Sequence, residues 1–141
     1  MPPVDDPDAL RSRVSAARVA RLATLRPDGT PRLVPVTFAL VDGLVCTAVD
    51  EVKPKRSTRL ARLADIAHDP RVALIVDHYE EDWRGLWWVR VDGTAAVHSD
   101  GDLRSRALAA LVAKYPPYAA APPDGVVLVV TPQRWSGWAA S

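Results

Sequence analysis

The sequence predicts a small antiparallel β-barrel with helices filling its gaps. Short apolar runs of strand character dominate the chain, tight turn sequences join several of them, and helical patterns fall between strands. The count is about six strands and three helices. At 141 residues the chain is expected to form a single domain with its own core. Apolar residues make up 48% and charged residues 25%, a globular balance. No stretch approaches the roughly 20 apolar residues that span a bilayer, and no signal-peptide core is visible. The expectation is a soluble cytoplasmic protein without a membrane partner.

Taken in order, Asp8 is expected to cap a first helix over Ala9–Ala17, where Leu10, Val14 and Ala17 recur at helical spacing. Val19–Leu25 then alternates as a strand. Arg26-Pro27-Asp28-Gly29 reads as a turn into a second strand, Pro31–Leu40. Pro35 removes a ladder donor, which favours an edge strand or bulge where something else can approach the backbone. Asp42-Gly43 is a hairpin turn of the primed type, leading to Leu44–Val49. Three strands joined this tightly predict a meander.

Ser57 or Thr58 is expected to cap a central helix whose Leu60, Leu63, Ala64 and Ala67 form an apolar stripe, closed by Asp69-Pro70. Arg71–His78 is nearly continuously apolar and predicts a central strand. A charged loop, Tyr79–Gly85, precedes the strand Leu86–Val97. There Trp87 and Trp88 must face opposite ways, so both sheet faces need covering, and a partner subunit is favoured for one of them. Ser99-Asp100 is expected to cap a third helix, Leu103–Lys114. A proline-rich link, a last strand Val126–Val130 and a short tail with Trp135 and Trp138 complete the chain. Residues 1–17 read as an N-terminal helix and 132–141 as a tail at a dimer interface.

One stretch is electrically distinct. Between Lys53 and Arg62 stand five basic residues (Lys53, Lys55, Arg56, Arg59, Arg62) and no acidic one, in a chain with 18 Lys+Arg against 17 Asp+Glu. A strand feeding a helix N-terminus offers free N–H groups and a positive dipole end, and the side chains add formal charge. Together these suit a phosphate. The chain's net charge of +1 lacks the broad basic surface of a nucleic-acid binder, so one phosphate group fits better than a polyanion.

Familiar catalytic constellations are absent. His68, His78 and His98 have no metal-ligand spacing, so neither a metal nor a catalytic residue is assigned. Cys46, the only cysteine, reads as a small buried thiol. Any enzymatic chemistry must then come from a bound cofactor, with the protein supplying position and electrostatics.

The run Arg62-Leu63-Ala64-Asp65-Ile66-Ala67-His68-Asp69-Pro70-Arg71-Val72 resembles the basic-x-x-Asn/Gln-Ile/Leu-x-x-Asn/Asp-Pro-Arg/Asn-Val pattern of the pyridoxamine 5′-phosphate oxidase-like split barrels. Ala23-Thr24-Leu25, the Asp28-Gly29 turn, Pro31-Arg32 and Val91-Asp92-Gly93-Thr94-Ala95 match the same family in order and spacing. The tail Arg134-Trp135-Ser136-Gly137-Trp138 is similar to the branch that uses the deazaflavin coenzyme F420 in place of FMN.

The resemblance implies a mainly β, six-stranded antiparallel split barrel of the FMN-binding type. It also implies a homodimer with cofactor sites at the subunit interface. The cofactor ring would lie near Pro35, Val36 and Thr37 and near Cys46, Thr47, Ala48 and Val49. Its phosphate would meet Arg62, with Lys55 and Arg59 assisting and Lys53 and Arg56 weaker contributors. Coenzyme F420 is favoured over FMN because its acidic tail suits an extended basic segment. The activity implied is hydride transfer with an unsaturated or carbonyl-conjugated small molecule. The alternatives are an FMN enzyme or a non-catalytic binder of flavin, haem or tetrapyrrole. Asp65 departs from the family's amide; an ionised carboxylate only accepts hydrogen bonds, so a pairing with Arg62 is expected instead.

Overall fold

A computed structural model describes residues 6–49 and 56–141, with 56–60 as backbone only. In chain order the elements are α1 (Pro7–Ala16), β1 (Ala20–Leu25), β2 (Pro31–Val36), β3 (Ala39–Val41), β4 (Leu44–Ala48), α2 (Arg56–His68), β5 (Arg71–His78), β6 (Trp87–His98), α3 (Gly101–Lys114), α4 (Pro116–Ala120) and β7 (Val127–Ala139). All strand pairs are antiparallel, in the order β2-β1-β5-β6-β7-β4-β3.

That order contains the reason for a barrel. β2 and β3 are consecutive in the chain yet occupy opposite edges of the sheet, with only Thr37 and Phe38 between them. Two linking residues reach roughly 10 Å at most, so the sheet must curl until its edges meet. The predicted Pro31–Leu40 strand therefore breaks in two, giving seven strands rather than six, and the meander opens at the break. Pro35 lies on the edge strand β2, where a residue without an N–H is expected.

Turns follow their residues. Asp42 (φ 50°) and Gly43 (φ 79°) both take positive φ, the primed hairpin that joins β3 to β4. Gly29 (φ 85°) closes the β1–β2 turn, and Asp28 Oδ1 accepts from the Thr30 N–H at 3.0 Å. At the bulge between Asp92 and Gly93, a Cβ on Gly93 would stand 2.2 Å from the Thr131 carbonyl oxygen, so only glycine fits.

Several expectations need correcting. Asp6, not Asp8, caps α1, accepting from the Asp8 N–H at 3.1 Å. Because α2 begins at Arg56, Ser57 and Thr58 lie inside its first turn rather than at its cap. Asp100 occupies the α3 cap position without a side-chain cap bond. The proline-rich link folds into α4. Residues 132–138 are no tail but the second half of β7, laddered to β6 with Trp135 opposite Val91 and Trp138 opposite Trp88. Its mixed polar pattern had concealed a strand with one half-exposed face.

The core fills the barrel interior with Leu22, Phe38, Val45, Val76, Val89, Val91 and Val130, and α1 closes one end through Leu10 and Val14. A second cluster lies under α3, where Ala107 packs on Cys46, Val127 and Val129. Among the described residues no helix is long and apolar enough to cross a membrane.

Candidate cofactor site

The site predicted from sequence centres on the two-residue crossover. Thr47 Oγ1 donates to the Thr37 carbonyl at 2.7 Å, bringing the Pro35–Thr37 and Cys46–Val49 segments together. Thr37 Oγ1 and the Tyr118 hydroxyl lie 2.7 Å apart, a bond from α4 onto the crossover. The Tyr115 hydroxyl accepts from the Phe38 N–H (3.1 Å) and has the Arg18 (2.9 Å) and Phe38 (3.0 Å) carbonyls as acceptors. Burial pushes the Tyr115 pKa up, which keeps the phenol a donor. Lys114 Nζ donates to the Phe38 carbonyl at 2.9 Å and stands 3.9 Å from the centre of the Phe38 ring. The crossover is thus clamped from one side by α3 and α4.

The predicted ring-contact residues divide by pleat. Pro35 is exposed, Thr37 and Ala48 are half-buried, and Val36 and Val49 point into the barrel core. Cys46 is fully buried beneath α3, where desolvation pushes its thiol up to about 11. These residues therefore present mainly backbone and small side chains to anything docked at the crossover. That suits the flat, polar-edged face of a heteroaromatic ring.

Of the basic segment, Lys53 and Lys55 lie outside the described residues. Arg56 and Arg59 are seen as helical backbone, and Arg62 is half-buried on α2. What holds α2 in place was not foreseen. Asp65, 1% exposed, accepts from Arg32 Nε at 2.6 Å and from Thr24 Oγ1 at 2.8 Å, while Ile66 enters the core beside it. Its partners are thus on β1 and β2, not the expected Arg62. The Arg32 hydrogen bond, reinforced by Thr24, holds the Asp65 carboxyl below its ordinary value of 3.8 against the opposing effect of burial. The basic helix and the Pro35–Thr37 segment are consequently fixed to the same β1–β2 hairpin.

A signal for this pair existed. Arg32, Val34 and Val36 share one face of β2, and Val36 is core-facing; a cation on that face requires a buried anion, and Asp65 sits beside Ile66 on the packed side of α2. Tyr115 and Tyr118 carried no comparable signal, because the linker that holds them shows no periodicity. Among the described residues no group of three or more His, Cys, Asp or Glu could hold a metal ion.

Residues 6–139 match the pyridoxamine 5′-phosphate oxidase family. Among solved structures, the chain is similar to the conserved hypothetical protein Rv2991 from Mycobacterium tuberculosis. The TM-score is 0.80 at 19% identity, covering 98% of this chain and 87% of that one. It is similar to an FAD-binding protein from Mesorhizobium loti, with TM-score 0.70, 24% identity and 96% of both chains covered. It is also similar to HutZ, the heme storage protein from Vibrio cholerae, with TM-score 0.69, 13% identity, and 95% and 93% covered. At these identities the likenesses establish the fold. No curated protein matches the chain.

Proposed function

The chain belongs to the pyridoxamine 5′-phosphate oxidase family, and from that premise we propose that it is a cytoplasmic, homodimeric oxidoreductase using coenzyme F420. FMN is the alternative cofactor. The observation that carries the reading is the meeting of Cys46–Val49 with Pro35–Thr37, the end of the hairpin to which the basic helix is also pinned. Arg62, with Arg59, Arg56 and Lys55, would hold the cofactor's phosphate and acidic tail. The segments Pro35–Thr37 and Cys46–Val49 would receive its ring, Pro35 and Val36 from the edge strand β2, which has no further strand laddered beside it.

When bound, the deazaflavin supplies a hydride for an unsaturated or carbonyl-conjugated acceptor. The residues of this chain bind and orient. The Thr47–Thr37–Tyr118 hydrogen bonds stiffen the ring platform, and the buried core behind Val36 and Val49 keeps water from its rear. Trp88 and Trp138, paired across β6 and β7 on the outer sheet face, would meet a second copy, with the 67%-exposed Leu33 on the same face.

A second reading, a non-catalytic flavin or haem carrier, is favoured by the FAD-binding and heme storage proteins of like fold. Single-turnover oxidation of reduced F420, and separately of reduced FMN, by a panel of enones and quinones separates the two. Acceleration at least about a hundredfold over the free cofactor supports the enzyme. Tight binding with no acceleration supports the carrier.

A further inference from the structure

Beside the crossover, a cleft of about 550 Å³ opens between α1, the entry to β1, the end of β5 and the start of β6. Ala17, Val19 and Trp87 give it an apolar wall, and three arginines, Arg13, Arg18 and Arg21, line it as well. Two of the three are engaged. Arg21 Nη1 donates to Asp77 Oδ1 at 3.1 Å, while Arg18 Nη2 donates to the Lys114 carbonyl at 2.9 Å and its guanidinium lies 4.7 Å from the Tyr115 ring centre. His78 is joined to Glu80 at 2.7 Å.

Arg13 differs. Its guanidinium carbon stands 5.3 Å from the Trp87 ring centre, and its buried Nη1 has no hydrogen-bond acceptor among the described residues. Arg13 is itself half-exposed, so an anion in the cleft can reach the open part of its fork and offset the cost of the unpaired Nη1. A guanidinium fork matches the paired oxygens of a carboxylate. The apolar wall beside it favours an anion with a hydrocarbon body over a hydrated inorganic ion.

We propose that this cleft binds a small organic carboxylate, with its carboxyl on Arg13 and its apolar body against Ala17, Val19 and Trp87. The cleft adjoins the crossover, since Arg21 is the register partner of Pro35 and Ala20 that of Val36. Under the cofactor reading given above, and resting on it, the acid is the class of substrate; its binding requires no cofactor.

The test titrates the full-length protein, without cofactor, with sodium benzoate, benzamide and inorganic phosphate. The Trp87 indole N–H is followed by NMR and assigned with Trp87→Phe. Benzoate is expected to shift that resonance saturably and to bind about tenfold or more tightly than benzamide. Arg13→Gln should weaken benzoate by a similar factor, and exposed Arg134→Gln should leave it unchanged. Should Arg13→Gln fail to fold, Arg13→Lys keeps the charge without the fork and should still bind benzoate more weakly than wild type. Equal affinity for benzoate and benzamide, unchanged affinity in the Arg13 variants, or phosphate binding as tightly as benzoate overturns the assignment. So does an absence of benzoate binding together with a change in sedimentation in Arg13→Gln, which would make the cleft a contact between copies. Because no cofactor is present, failure here leaves the cofactor reading standing, and the reverse holds equally.

Discussion

Asp65 and Arg32 join the second helix to the second strand through a 2.6 Å ion pair whose carboxylate is almost wholly buried. Removing one partner from such a pair strands the other charge. Asp65→Asn should therefore lower stability by about 2–3 kcal/mol in denaturant unfolding, below the full range for a buried pair because Arg32 is partly solvated. A loss under about 0.5 kcal/mol would mean that the pair does not hold the helix.

The same carboxyl sets an acid limit. Its folded pKa lies below the ordinary 3.8, so as pH falls the unfolded chain takes up the proton first. The stabilisation is complete above 3.8 and is lost as pH falls through the folded value. Asp65→Asn should flatten that limb of a stability-against-pH curve; an unchanged limb assigns it to other carboxyls.

Lys114 titrates at the opposite end. Burial, and then the Arg18 charge, push its ammonium down to about 8 from 10.5. Between those values the unfolded chain binds more protons than the folded one, so stability should rise with pH across the window. NMR of reductively methylated lysines should give a midpoint near 8 for Lys114. Lys114→Met should abolish the rise, and a midpoint near 10.5 would show the ammonium to be well solvated.

The barrel was legible in the sequence because alternation, the primed Asp42-Gly43 turn and the Asp69-Pro70 stop are local signals. The strand break at Thr37-Phe38 was not. Nothing local distinguishes a ten-residue strand from two short ones on opposite sheet edges; closure of the whole sheet decides it. The long β7 escaped for a related reason, since its second half is stabilised by its ladder to β6 rather than by its own apolar residues. At the site, the two strand segments were implied by the family resemblance alone, while the Arg32–Asp65 clamp joins residues 33 apart in the chain and the tyrosine clamp on Phe38 spans 77.

The outer face offers a test of assembly. Leu33→Glu and Trp138→Glu each place a charge where Leu33 is 67% exposed and where Trp138 faces Trp88 across the ladder. Either should shift sedimentation from dimer to monomer while far-UV circular dichroism stays unchanged. A wild-type protein that sediments as a monomer at micromolar concentration refutes the dimer.

Arg62→Ala should weaken cofactor binding by about 1.5–3 kcal/mol, the range for a hydrogen bond to a charged group. Lys53→Ala should cost less, because a flexible lysine in water loses little Coulomb energy. Equal losses at the two positions would put the phosphate elsewhere.

Both candidate rings suit the same strand segments, so the difference must come from the acidic tail of the deazaflavin meeting Lys55, Arg56 and Arg59. The most direct measurement is the dissociation constant of the purified apoprotein for F420 and for FMN, each taken across a salt series. Tighter F420 binding is expected at physiological ionic strength, with a steeper loss of F420 affinity as salt rises and a narrowed gap in Arg59→Glu. Tighter FMN binding at physiological ionic strength, with equal salt slopes, would contradict the F420 reading.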